Sequence, residues 1–115
     1  MTNPISGDVL RGHMELLVLS LLEQGEAHGY ELLQRIEAQG SGALSMREGT
    51  LYPVLYRLEE AGQIEGTWET GKSERRGPRR RVYRLTRNGK RELVARRDGW
   101  KNFVRVLGPI LEGGV

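Results

Sequence analysis

Residues 49–64 read GTLYPVLYRLEEAGQI, and the fold turns on whether this stretch is one helix or two fragments. Leu51, Leu55 and Leu58 recur at helical spacing with Val54 at the edge of the same face, so one side stays apolar as far as Gly62. Pro53 lacks an N–H, and its ring presses on the carbonyl four residues earlier. That residue is Gly49, whose missing side chain leaves the backbone room to adjust, so the pattern predicts a locally distorted but continuous helix. Just upstream, Ser45-Met46-Arg47-Glu48 matches the S-x-x-E capping box and sets the helix over 46–61. Thr50, Tyr56 and Arg57 then lie away from the leucine face, with Tyr52 oblique to it.

Toward the C-terminus the period changes from helical to two. Ile64, Gly66, Trp68 and Thr70 alternate with polar residues, a loop rich in Gly, Lys and Arg follows, and residues 81–86 (RVYRLT) alternate again. These runs predict an antiparallel hairpin with a long basic tip and Trp68 in its core. Thr86 is positioned to cap a last helix from Arg87, in which Leu93, Trp100 and Leu107 recur every seven residues, as do Arg96, Phe103 and Ile110. That heptad stripe suits a partner helix, and Gly108-Pro109 predicts a kinked or frayed end.

Toward the N-terminus, Asp8 precedes a run from Met14 to Leu22 that is apolar almost throughout and stops near Gly25, which predicts a buried first helix capped by Asp8. After Gly25-Glu26-Ala27, the segment from His28 to Gly40 puts Tyr30, Leu33, Ile36 and Glu37 near one face of a short second helix. Residues 43–45 (ALS) read as a brief extended piece. The order helix, helix, helix, hairpin, long helix is mainly α with a small β-hairpin. It matches an α+β winged helix-turn-helix over 1–86, followed by a dimerisation helix over 87–115.

Charge sharpens that reading. The chain of 115 residues carries a formal net charge of +3, yet residues 72–87 alone hold Lys72 and seven arginines against Glu74, so the rest is mildly acidic. A concentrated basic segment on an acidic body is the footprint of a polyanion site, and planar arginine forks suit phosphate. Lys72, Arg79, Arg80 and Arg81 at the hairpin tip, with Thr50, Tyr52, Tyr56 and Arg57 on the third helix, are the candidate contacts to double-stranded DNA. Tyr52 either reaches a phosphate or packs under the wing. Tyr30, near free backbone N–H groups at a helix start, either touches a phosphate or packs.

The inventory of catalytic patterns is empty. There are no cysteines, His13 and His28 lie on different helices without metal spacing, and neither a nucleophile elbow nor a phosphate-cradling loop occurs. No cofactor is expected. No run reaches the length of a membrane-spanning helix and the N-terminus lacks a leader pattern, so a cytoplasmic protein with no membrane partner is expected.

Three segments carry a family likeness: HGYEL at 28–32, GTLYPVLYRLEEAGQI at 49–64, and GPRRRVYRLTRNGKREL at 77–93, followed by Trp100. In this order they resemble the PadR family of bacterial transcriptional regulators, over about residues 12–104. The resemblance implies a homodimeric winged-helix repressor on a pseudo-palindromic operator, its short form carrying one C-terminal helix. Leu93, Trp100, Phe103, Leu107 and Ile110 are then the expected dimer contacts. It also implies a small aromatic or cationic effector near the dimer interface, with Trp100 as a stacking surface. The other reading that the residues allow is a protein-interaction module whose basic wing meets an acidic partner.

Overall fold

The computed structural model describes residues 4–69 and 80–113. The chain forms α1 (Gly7–Leu10), α2 (Met14–Glu23), β1 (Ala27–His28), α3 (Gly29–Gln39), α4 (Glu48–Glu60), β2 (Ile64–Trp68), β3 (Arg81–Leu85) and α5 (Arg87–Leu111). It is a mainly helical fold with a small antiparallel sheet and a long C-terminal helix. The apolar run Met14 to Leu22 forms α2 unbroken, but the helix expected from Asp8 onward is divided ahead of it, where Gly12 takes φ +92°, a left-handed conformation that few residues other than glycine adopt. Ser6, not Asp8, caps α1 by accepting from the Val9 N–H, and Asp8 pairs with Arg11 in the same turn.

The core forms where α2, α3 and α4 meet. Val18 and Leu19 from α2, Leu32 and Ile36 from α3, and Leu51, Leu55 and Leu58 from α4 are fully covered. The expected leucine face of α4 is the buried one, and the helix runs unbroken through Pro53. On α3 the covered stripe is Gly29, Leu32 and Ile36; of the residues expected near one face, Ile36 belongs to it, Leu33 packs half-buried beside it, and Tyr30 and Glu37 are exposed. The capping box is also displaced. Helix α4 starts at Glu48 with Arg47 at its N-cap and no side-chain cap, so Ser45 lies too far upstream to serve. The reciprocal pair occurs instead on α3, where the His28 ring accepts from the Glu31 N–H and the Glu31 carboxylate accepts from the His28 N–H.

The sheet has the order β1-β3-β2, so the hairpin gains a third strand. Ala27 pairs with Tyr83 and His28 with Val82, while β2 meets β3 from Ile64↔Leu85 to Trp68↔Arg81. Residues 43–45 are not part of it; the Ala43 carbonyl accepts one bond, from the Ile5 N–H. Burial falls along β2 from Ile64 to Trp68, which is 52% exposed and not in the core, because the strand runs out past the helices.

Thr86 caps α5 as expected, accepting from the Gly89 N–H. The helix spans 25 residues and passes Gly108-Pro109 before ending at Leu111. Its first half packs on α2, with Leu93 only 2% exposed. Leu93 is therefore a residue of the chain's own core and has no surface to offer a partner, which corrects its expected role. Gly89 has a specific steric cause: a Cβ there would overlap the Gln63 carbonyl oxygen. In an open helix Gly→Ala gains up to about 1 kcal/mol. Here Gly89→Ala is expected to lose about 1–3 kcal/mol through overpacking against backbone, measured by urea unfolding.

Candidate nucleic-acid interface

Helix α4 presents three different surfaces around its buried face. The outermost strip, at helical spacing, is Gly49, Pro53, Tyr56 and Glu60, all exposed. One flank, with Thr50 and Arg57, leans toward α1 and α2. Thr50 borders a groove of about 420 Å³ with Ser6, Asp8 and Arg11. The Arg57 guanidinium makes a two-point contact with the Glu15 carboxylate, at 2.9 and 3.1 Å. The other flank, with Tyr52 and Glu59, leans toward the hairpin. Both Thr50 and Arg57 are exposed, but the strip furthest from the core includes neither. Gly49 and Pro53 were legible as members of it from the same helical wheel.

Tyr52 lies between the alternatives left open by the sequence. It is 44% exposed, and its ring and hydroxyl lie against Gly29 at the start of α3, where an added Cβ would overlap the hydroxyl. With Tyr56, Glu59, Glu60, Arg81 and Tyr83 it lines a cleft of about 540 Å³ between α4 and the hairpin. Burial pushes the Tyr83 hydroxyl pKa up, so it stays a neutral donor and acceptor there. Tyr30, 56% exposed in the first turn of α3, stands near the same end of that helix.

The three described wing arginines are all engaged, Arg84 with the Glu65 carboxylate across the two strands. Arg80 Nη1 lies 2.8 Å from His28 Nε2, beside the capping box of α3. Arg81 pairs with Glu59 of α4, its guanidinium lies 5.4 Å from the Trp68 ring centre, and its side chain is 31% exposed. Strand alternation sends these neighbours to different helices. Lys72 and Arg79 lie outside the described residues. Arg47, in the middle of the S-x-x-E pattern, is instead an exposed cation at the N-cap of α4.

Helix α5 leaves an apolar surface bare. Trp100 meets His13 edge to face at 5.2 Å and stacks on Phe103 at 5.9 Å. Phe103, Val104, Val106 and Ile110 are 43–69% exposed, and Leu107 is half-buried. Beside Trp100, an apolar groove of about 330 Å³ is lined by Leu10, Leu16, Leu17 and Leu44, with Arg97 at its edge. Among the described residues, no cluster of histidine and carboxylate side chains could hold a metal ion, and no helix is long and apolar enough to cross a membrane.

A helix held out beside a β-hairpin, on a three-helix core, defines a winged-helix nucleic-acid-binding protein. The model of the Transcriptional regulator PadR-like family matches residues 18–95, and the chain belongs to that family. It is 35% identical over 102 residues to Transcriptional regulator Rv3488 of Mycobacterium tuberculosis, covering 85% of this chain and 86% of that one. Among solved structures, a transcriptional regulator from Clostridium thermocellum superposes with a TM-score of 0.79 at 32% identity, covering 90% of this chain and 95% of the other. A PadR family regulator from Eggerthella lenta gives 0.78 at 32% identity, over 91% and 87%. The protein is thus a PadR family transcriptional regulator, of a class that acts by binding DNA, and family membership points away from catalysis.

The Glu15–Arg57 contact has a testable pH signature. Burial raises the Glu15 pKa, but the Arg57 hydrogen bond and charge outweigh it, and the net shift is downward from the ordinary 4.5. A lowered folded-state pKa gives stability that is complete above the ordinary value and is lost as pH falls through the lowered one. Glu15→Gln is expected to lose up to about 1 kcal/mol at pH 7, because Arg57 is half in solvent. The difference from wild type should shrink below about pH 4 in urea titrations, as the wild-type carboxylate takes up its proton.

Proposed function

We propose that the protein is a homodimeric repressor that binds a pseudo-palindromic duplex operator, with α4 of each protomer in a major groove and the wing on the flanking backbone. The observation that carries this reading is the outer strip of α4. Gly49 is exposed on the helix, and an added Cβ there would meet no neighbouring side chain within 4 Å. Together with Pro53 it gives the helix a low profile, so the backbone can come close to a groove. Thr50, Tyr52 and Tyr56 supply hydrogen-bonding groups around that strip, and Arg47, Lys72 and Arg79 supply charge for the phosphates. Tyr30, exposed in the first turn of α3, adds a hydroxyl for a flanking phosphate.

In this reading residues 1–86 are the DNA-binding unit and 87–115 the dimerisation helix. The bare face of α5, with Trp100, Phe103, Leu107 and Ile110, is buried against a second copy. A small aromatic or cationic effector binds beside Trp100 and releases the operator.

Titration against the protein's own promoter at several salt concentrations tests the whole reading. Saturable binding that weakens steeply with salt is expected, and its absence would overturn it. Gly49→Ala is expected to stabilise the fold by up to about 1 kcal/mol while weakening operator binding, a divergence no folding defect produces. Leu107→Arg should give monomers in sedimentation and lose about 100-fold or more in operator affinity, as the two half-sites are then bound independently.

A further inference from the structure

The basic segment suggests that each of its arginines meets phosphate, yet Arg81 is committed elsewhere. Its guanidinium pairs with the Glu59 carboxylate, and both side chains are about two-thirds covered. Its other side is turned to the Trp68 ring, and its chain lies across Gly66, where a Cβ would overlap Arg81 Nε. Gly66 and Trp68 belong to β2, Arg81 to β3 and Glu59 to α4, so one side chain joins both strands of the wing to the helix beside it. Glu59 lowers the local positive potential, which a phosphate ligand would not want next to it. The planar fork of arginine can make the ion pair and present a face to the indole at once, which lysine cannot.

We infer that Arg81 is a positioning residue: with Glu59 and Trp68 it fixes the angle between wing and recognition helix, and it contributes to DNA affinity through that angle without contacting phosphate. This rests on the reading of α4 and the wing as the DNA-binding surface. The geometry separates the two roles by sign. If Arg81 is a strut, neutralising Glu59 frees the wing and weakens binding. If Arg81 is a phosphate ligand, the same change removes a competing carboxylate and strengthens binding.

The test is operator titration of the full chain carrying Glu59→Gln, Arg81→Lys or Arg81→Ala, at several salt concentrations, with thermal unfolding to confirm that each variant folds. Glu59→Gln and Arg81→Lys are each expected to weaken binding about 5- to 10-fold, as residues coupled through one contact do. The dependence of log affinity on log salt should keep its wild-type slope. Removal of a phosphate contact by Arg81→Ala would instead flatten that slope by about 0.9. A second readout does not involve DNA. In a Trp100→Phe background, Trp68 is the remaining tryptophan, and Glu59→Gln should change its emission as the guanidinium leaves the ring. Unchanged or tighter binding by Glu59→Gln, tolerance of Arg81→Lys, or a flattened slope in Arg81→Ala would each overturn the inference. A wild-type chain that binds no operator would instead defeat the underlying reading, and the Trp68 emission would still decide whether the strut exists.

Discussion

The structure depends on a small knot of backbone hydrogen bonds where four elements meet. Helix α4 ends at Glu60, Gly62 turns the chain at φ +72°, and the Gln63 N–H returns to the Leu58 carbonyl. The Gln63 carbonyl accepts from the Thr86 N–H, and the Thr86 hydroxyl donates to the Gly62 carbonyl at 2.6 Å while accepting from Gly89. The end of α4, the start of β2, the end of β3 and the start of α5 are thereby joined by main-chain bonds and the Thr86 hydroxyl. Ion pairs between side chains, Arg81 with Glu59 among them, brace the elements that leave this point. Because the α5 helix departs from this knot, the direction of α5 relative to α4 is inherited directly from it.

The surface charges divide into those that fix the frame and those left open. Arg35 donates to the Leu21, Gly25 and Glu26 carbonyls at the end of α2, where free carbonyls concentrate negative potential. Arg97 holds Glu23 across α2 and α5, which lowers the carboxyl pKa and raises that of the guanidinium. Arg57, Arg80 and Arg81 serve similarly between other elements. A basic composition therefore overstates the charge available to a polyanion, since Arg57, Arg81 and Arg97 are already paired with carboxylates.

What could be read from the sequence follows from the range of each interaction. Leu51, Leu55 and Leu58 declared the buried face of α4, and the alternation of residues 64–68 and 81–85 declared the hairpin, because these patterns are local and repeat. The two residues of β1 were illegible, being too few to show any period. The capping box at His28 escaped because histidine is an uncommon cap, while Ser45 offered the expected letters at the wrong register. Leu93 looked like a partner contact because heptad spacing does not distinguish a stripe covered by α2 from one left bare. Trp68 looked like core because alternation says which side a residue takes and not how far the sheet extends beyond its helices. The arginine partners were the least legible of all: Glu15 and Arg57, or Glu59 and Arg81, are separated by long intervals that only the fold closes.

The contact between Tyr52 and Gly29 couples two positions 23 apart in the chain. A side chain at 29 would displace the end of the half-exposed Tyr52 from the start of α3, and a smaller residue at 52 would open that space. A change at either position is therefore felt at the other.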